Sequence, residues 1–279
     1  MNSPALNKVA FVFDIDGTLD NGDKGQIYEP LFPLMARWLA RNADLIFCTN
    51  RSRGWVYDEV LSPLISHFPQ TPTGRIFTAC EQGAIVSQLF PSGDLPIWRF
   101  EDWGAWPLEH RREIEVALLQ AVRRDELRGQ LRTGLRYQVC LELSAPCQGN
   151  PLLWLPQHIS RRVRMVQTRS TLTFLNRDAG KETAMRYLLE RFPDLREGKI
   201  IGFGDDGDEF ARVVPTLDVD RRDRKTFDKA GFLSARVDDP EAISKLGLEP
   251  LPAHCWPAKA LQLGGGAATA GVLSTLLGH

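Results

Sequence analysis

An α/β fold, a doubly wound parallel sheet interrupted by an inserted second unit, is predicted by three observations. First, the apolar run Val9-Ala10-Phe11-Val12-Phe13 ends in Asp14-Ile15-Asp16-Gly17-Thr18-Leu19, the pattern of a strand leading into a polar turn. Second, apolar strands alternate with helix-periodic segments up to about residue 90 and again after about 173. Third, the stretch between changes texture: Pro91, Gly93 and Pro96 lead into Trp98, Trp103 and Trp106, and no lysine occurs between Lys24 and Lys181.

The elements follow in order. Leu31, Leu34, Met35, Trp38 and Leu39 recur at helical spacing within residues 30–41, and Leu45-Ile46-Phe47-Cys48 is a strand that stops at Thr49-Asn50-Arg51. A helix over about 54–67, interrupted near Pro63, precedes a strand at 75–79, and Gln82-Gly83-Ala84 turns into another. The inserted segment offers a helix from Leu108 to about Arg124 and strand candidates at 137–143 and 163–175. Ala179-Gly180-Lys181 opens a helix with Ala184, Met185, Leu188, Leu189 and Phe192 on its apolar side, and Lys199 to Phe203 is a strand ending in an acidic loop. The division expected is residues 1–95 and 173–279 as one unit and 96–172 as the insertion.

Composition narrows the classes. With 279 residues the chain can bury a sizeable core, and 43% hydrophobic with 25% charged residues is ordinary for a globular protein. A net charge of −1 gives no general attraction to nucleic acid or to a membrane surface, so neither partner is expected. The five cysteines are scattered without CxxC spacing, which argues against a zinc framework or a disulfide scaffold and fits a reducing cytoplasm. Residues 1–8 carry no apolar stretch of signal-peptide length. From Leu261 to Gly278 no residue is charged, but three successive glycines and interspersed Thr and Ser make a membrane span a poor reading; a glycine turn and a buried terminal helix fit better.

Asp14 and Asp16 stand two apart on extended backbone, so both can converge on one small object, and Gly17 lets the chain turn away. Two converging carboxylates repel unless a hard cation such as Mg²⁺ lies between them, and carboxylate, hydroxyl and carbonyl oxygens are the ligands it prefers. The same residues also suit a plain turn or N-cap. Four segment ends thus offer chemistry: Asp14 with Asp16, Thr49 with Asn50, Lys181, and Asp205 with its acidic followers. Gly202 to Gly207 satisfies GxGxxG, but Asp205-Asp206 would repel a pyrophosphate, which argues against a dinucleotide site.

In order and character these four segments resemble the motifs of the haloacid dehalogenase superfamily of phosphatases: DxDGT at Asp14–Thr18, a strand-end Thr at Thr49, a helix-start Lys at Lys181 and an acidic loop from Gly204-Asp205. The length of the insertion resembles the type II capped members. The Gln82-Gly83-Ala84 turn and the Ala179-Gly180-Lys181 segment look like the Cof-type or sucrose-phosphatase-like group, type IIB. The resemblance implies a Rossmann-like core with an α/β cap and a Mg²⁺-dependent hydrolysis of a small phosphomonoester, expected to be a sugar phosphate, through an aspartyl-phosphate.

In that reading Asp14 is the nucleophile, and Asp16 acts as acid, then base. Lys181, Thr49 and Asn50 hold the phosphoryl oxygens, and Asp14, Asp16 (through its carbonyl) and Asp205 hold the metal. The loop departs from the family pattern in showing Asp208 then Glu209, and either could complete the metal site. Arg51 and Arg53 face substrate or solvent, and Arg136 or Arg164 of the insertion could meet a second anionic group. A phosphomutase of the same fold and a non-catalytic phosphate-binding regulatory protein are the alternatives. Oligomeric state is not legible.

Overall fold

The computed structural model describes residues 8–20, 26–68, 71–92, 97–168, 170–204, 209–219, 233–236, 239–245 and 265–278. Its centre is an eight-stranded sheet. In chain order the strands are β1 (Val9–Phe13), β2 (Asp44–Cys48), β3 (Ile76–Cys80), β4 (Ile85–Ser92), β5 (Ile97–Ala105), β10 (Lys199–Gly204), β11 (Thr216–Asp218) and β12 (Ser234–Arg236). Their spatial order is β12-β11-β10-β1-β2-β3-β4-β5, parallel from β12 to β3, with β4 and β5 antiparallel at one edge.

The central strands are apolar throughout because both faces are covered. Alternate residues of β1 part company: Phe11 and Phe13 pack with α1 (Leu31–Ala40), α2 (Arg53–Val56), α3 (Ser62–Ser66), α8 (Pro240–Lys245) and the terminal helix α9 (Gly265–Gly278). Ala10 and Val12 pack with α6 (Lys181–Arg191) and α7 (Pro193–Glu197) on the opposite face. The expected helix break near Pro63 takes the form of a π turn (Tyr57–Leu61) between α2 and α3, where a ring without an N–H cannot continue the α-helical ladder. The terminal helix is buried over residues 266–273. Trp38 Nε1 donates to the Leu273 carbonyl at 3.3 Å, and Arg41 Nη1 donates to that of Leu277 at 2.9 Å.

A second, antiparallel sheet has the order β6-β7-β9-β8, from β6 (Gly129–Leu131), β7 (Gln138–Leu143), β8 (Val163–Gln167) and β9 (Thr171–Asn176). Helices α4 (Arg111–Arg123) and α5 (Gln157–Ser160) cover one side of it through Ile114, Leu118 and Ile159 against Val139, Leu141 and Phe174. The strand candidate 163–175 is thus two strands, with a turn in which Thr168 Oγ1 accepts the Thr171 N–H at 2.9 Å. Strand β5 pairs with β4 along its length, so the large sheet runs on to Ala105, while β9 belongs to the small sheet up to Asn176. The composition change from Pro91 to Pro96 begins within β4, which ends at Ser92, and runs up to the start of β5 at Ile97.

Candidate active site

The register of the sheet sets the first contacts. Phe13 lies opposite both Phe47 and Phe203, so Asp14, Thr49 and Gly204 gather at the carboxyl ends of three neighbouring strands, where open α/β sheets bind ligands. The Asp14 N–H donates to the Phe203 carbonyl and the Thr49 N–H to that of Ala79, each at 2.9 Å. Lys181, the first residue of α6, reaches Asp14 from 167 positions away: its Nζ lies 2.8 Å from Oδ1, with both residues only about one-twentieth exposed. A cation at a helix N-terminus opposes the dipole, and the buried carboxylate offsets it. Gly83, at φ 78°, lies against this junction; a Cβ there would come within 2.4 Å of the Gly180 carbonyl oxygen.

Gly17, at φ 85°, turns the chain after Asp16, and its N–H donates to Asp20 Oδ1 at 3.1 Å. The start of α9 docks on this same loop: Thr269 Oγ1 donates to the Thr18 carbonyl at 2.8 Å, and the Gly266 N–H donates to the Asp20 carbonyl at 2.9 Å. A Cβ on Gly266 would lie 2.5 Å from the Leu19 carbonyl oxygen, so the glycine run permits the approach.

Arg51, which the sequence left between substrate and solvent, binds Asp16. Its Nη2 is 2.5 Å from Oδ1 and its Nε 3.1 Å from Oδ2, a two-pronged contact, while the guanidinium lies 4.6 Å from the Trp55 ring centre. Burial alone would lower the Arg51 pKa; the Asp16 hydrogen bonds and charge, with Asp20 and Asp14 nearby, hold it above its ordinary value. The Arg51 backbone N–H donates to Thr49 Oγ1 at 3.2 Å, leaving that fully buried hydroxyl its own hydrogen to donate. Arg53 turns elsewhere, pairing with Asp102, which also accepts from Ser87.

The seam between the two sheets contains residues that sequence reasoning missed. Glu81, 3% exposed, accepts the backbone N–H groups of Arg136 (2.9 Å), Tyr137 (2.6 Å) and Gln138 (3.2 Å). One carboxylate of the large unit therefore holds the segment that begins β7. Gln138 reaches back, its Nε2 donating to the Asn50 carbonyl at 2.8 Å, and both Asn50 Oδ1 and Gln138 Oε1 are buried without a hydrogen-bond partner. Of the two arginines that the sequence could not separate, Arg164 enters the seam, pairing with Glu209 and donating to the Ala179 carbonyl at 3.2 Å. Burial, then the charge of Arg212, push Arg164 below its ordinary value. Arg136 instead contributes its N–H, and its guanidinium lies over the Tyr137 ring.

Asp205, Asp206 and Asp208 lie outside the described residues; Asp205 follows Gly204, whose strand borders β1. The donors that the sequence proposes for a metal are all oxygens, from Asp14, the Asp16 carbonyl and Asp205, a set that fits a small hard divalent cation.

No protein-family model matches this chain, and no curated protein is similar to it in sequence. Solved structures are similar in fold. The C-terminal domain of C. albicans trehalose-6-phosphate phosphatase superimposes with a TM-score of 0.57 at 12% identity, covering 87% of this chain and 92% of that one. A haloacid dehalogenase-like hydrolase from B. subtilis gives 0.52 at 11% identity, covering 75% and 88%. Plasmodium falciparum IMP-nucleotidase gives 0.50 at 12% identity over 71% of this chain, which spans about half (53%) of that protein. The fold is therefore that of the haloacid dehalogenase-like hydrolases, a Rossmann-like core with a second α/β unit.

Proposed function

We propose that this chain is a Mg²⁺-dependent phosphatase that hydrolyses a small phosphomonoester, a sugar phosphate or related metabolite, through an aspartyl-phosphate formed on Asp14. The observation that carries the reading is the buried Asp14–Lys181 pair at 2.8 Å, at the strand ends where Asp16 and Thr49 also stand. A scaffold has no need to bury a carboxylate and an ammonium there, since burying ions costs more than packing apolar groups.

Mg²⁺, held by Asp14, the Asp16 carbonyl and Asp205, would supply charge neutralisation that lets a carboxylate approach a phosphoryl group. Lys181 supplies a second positive charge beside the Asp14 oxygen, and the Thr49 hydroxyl can donate to a phosphoryl oxygen. Asp14 attacks phosphorus as the ester oxygen leaves, and Asp16 gives that oxygen its proton. Asp16 then takes a proton from water, whose oxygen attacks the same phosphorus; the Asp14–phosphate bond breaks and inorganic phosphate departs. Arg51 fixes the orientation of Asp16 throughout.

The small unit, which we take as the cap, would cover the site. The unpartnered buried oxygens of Asn50 and Gln138 at the seam favour a substrate with hydroxyl groups to donate, because buried acceptors in native proteins are rarely left unsatisfied. Phosphate release from sugar phosphates including trehalose-6-phosphate, from IMP and from p-nitrophenyl phosphate, with and without Mg²⁺, tests the reading. Metal-dependent release that disappears in Asp14→Asn is expected. Isomer formation without release would instead establish a mutase, and no turnover of any compound, with Asp14→Asn indistinguishable from wild type, would refute the proposal.

A further inference from the structure

We infer that His110, Glu113 and His158 form a binding site for a divalent transition ion of the zinc class on the outer side of the small unit. Among the described residues these are the side chains whose imidazole nitrogens and carboxylate oxygens gather in metal-ligand number and type, all within 4.8 Å of one another. The Glu113 carboxylate stands between the two rings: Oε1 is 2.8 Å from His110 Nδ1, and Oε2 is 3.5 Å from His158 Nε2. The rings are 5.5 Å apart, edge to face. The ligands come from two places in the chain, the start of α4 and the short α5, which the shared core of Ile114, Leu118 and Ile159 holds side by side.

Bonds of about 2.0–2.2 Å from zinc to His and carboxylate ligands place tetrahedral ligand atoms about 3.3–3.5 Å apart. The Glu113–His158 separation of 3.5 Å is already at that value, and the Glu113–His110 separation of 2.8 Å, a hydrogen-bond distance, must open by about half an ångström. The third closes by side-chain rotation, for which there is room, since the His110, Glu113 and His158 side chains are 32%, 50% and 60% exposed. Two imidazoles and one carboxylate suit zinc, nickel or copper and not magnesium, which prefers oxygen alone. With three protein ligands a tetrahedral ion keeps a fourth position. Glu113 also lines a cavity of about 800 Å³ with Arg112, Trp154 and Pro156, which gives that position an open volume to face.

The site is separate from the one proposed for phosphate chemistry. Helices α4 and α5 cover the face of the small sheet that carries Val139, Leu141 and Phe174, whereas Gln138 and Arg164, on the alternate positions, contact the large unit.

The test is calorimetric titration of the whole protein with Zn²⁺ in saturating Mg²⁺, repeated on His110→Ala, His158→Ala and the isosteric Glu113→Gln, with circular dichroism as the check on folding. One equivalent of zinc is expected for wild type, weakened about tenfold or more in each variant and retained in Asp14→Asn. Cobalt substitution should give the visible bands of a tetrahedral site in wild type and lose them in the histidine variants. Absence of zinc binding, or zinc binding unchanged in both histidine variants, overturns the inference. Loss of binding in Asp14→Asn alone overturns it too, by placing the zinc at the strand ends.

Discussion

The guanidinium of Arg51 holds the carboxylate of Asp16 through contacts of 2.5 and 3.1 Å, so the residue two places after a strand-end threonine fixes the group proposed to move protons. Arg51→Lys keeps the charge but loses the planar fork. Turnover of p-nitrophenyl phosphate is expected to fall about tenfold to a hundredfold in Arg51→Lys and further in Arg51→Ala, the scale of a misplaced catalytic group. An unchanged kcat in both variants would exclude the positioning role.

Asp14 and Lys181 form a buried pair, and removing one partner takes a close counter-charge from the other where water cannot replace it. Without added metal, Lys181→Met is expected to lower unfolding stability by about 3–5 kcal/mol, and Asp14→Asn/Lys181→Met to recover much of it. Chemical denaturation of the two single variants and the double variant measures the coupling. Activity should be absent from the double variant even where stability returns, which separates the two consequences of the pair.

Glu81 gathers three backbone N–H groups from Arg136, Tyr137 and Gln138. Glu81→Gln replaces a charged acceptor with an amide whose NH₂ faces donors, and the expected loss is about 1.5–3 kcal/mol. Limited proteolysis is the sharper readout: cleavage near residues 132–137 should accelerate in the variant at temperatures where circular dichroism shows it folded.

Asp194 supplies a pH dependence. Its partial burial would raise its pKa, but hydrogen bonds from Lys8 and Arg75, and their charges, hold it below its ordinary value. Its stabilising contribution is therefore complete above the unfolded carboxylate value near 3.9 and disappears as pH falls through the lower folded value. Because the side chain is 46% exposed, Asp194→Asn should cost less than about 1 kcal/mol at pH 7. Denaturation in a pH series falling from 7 should show the wild-type advantage at pH 7 and its progressive loss as the pH drops below the ordinary carboxylate range.

Burial pushes the Cys80 thiol up to about 12, so it carries almost no thiolate at pH 8, whereas Cys147 is only partly covered. Brief alkylation of the native protein followed by peptide mass spectrometry should label Cys147 well before Cys80, and the two should converge in denaturant.

Sequence periodicity was enough to place β1, β2, β3, β10 and α6, because strands buried on both faces are apolar without interruption and the lysine-led helix has a clear apolar side. That Asp14 and Lys181 share a site was implied by the family resemblance alone, and the two side chains stand 2.8 Å apart. Other features were not legible. The hairpin of β4 and β5 extends the large sheet through residues such as Ile97 and Glu101 that are exposed, so no alternation announced it. Glu81 acts on backbone N–H groups, which every residue but proline carries, so no partner residue type could reveal it. Arg51 and Arg53 differ only in what the three-dimensional turn at Ser52 offers each of them: Asp16 for one, Asp102 for the other.

The docking of Thr269 and Gly266 on the loop of Thr18 to Asp20 also sets a timetable. Synthesis delivers Asp14 and Asp16 well before Lys181, and the helix that buttresses their loop later still. Throughout that interval the nascent chain holds its acidic pair without the ammonium that balances it or the helix that braces it, and domains generally fold as units once their parts are present. The site proposed for phosphate chemistry is therefore complete only once residues as far apart as Asp14 and Thr269 have all been made.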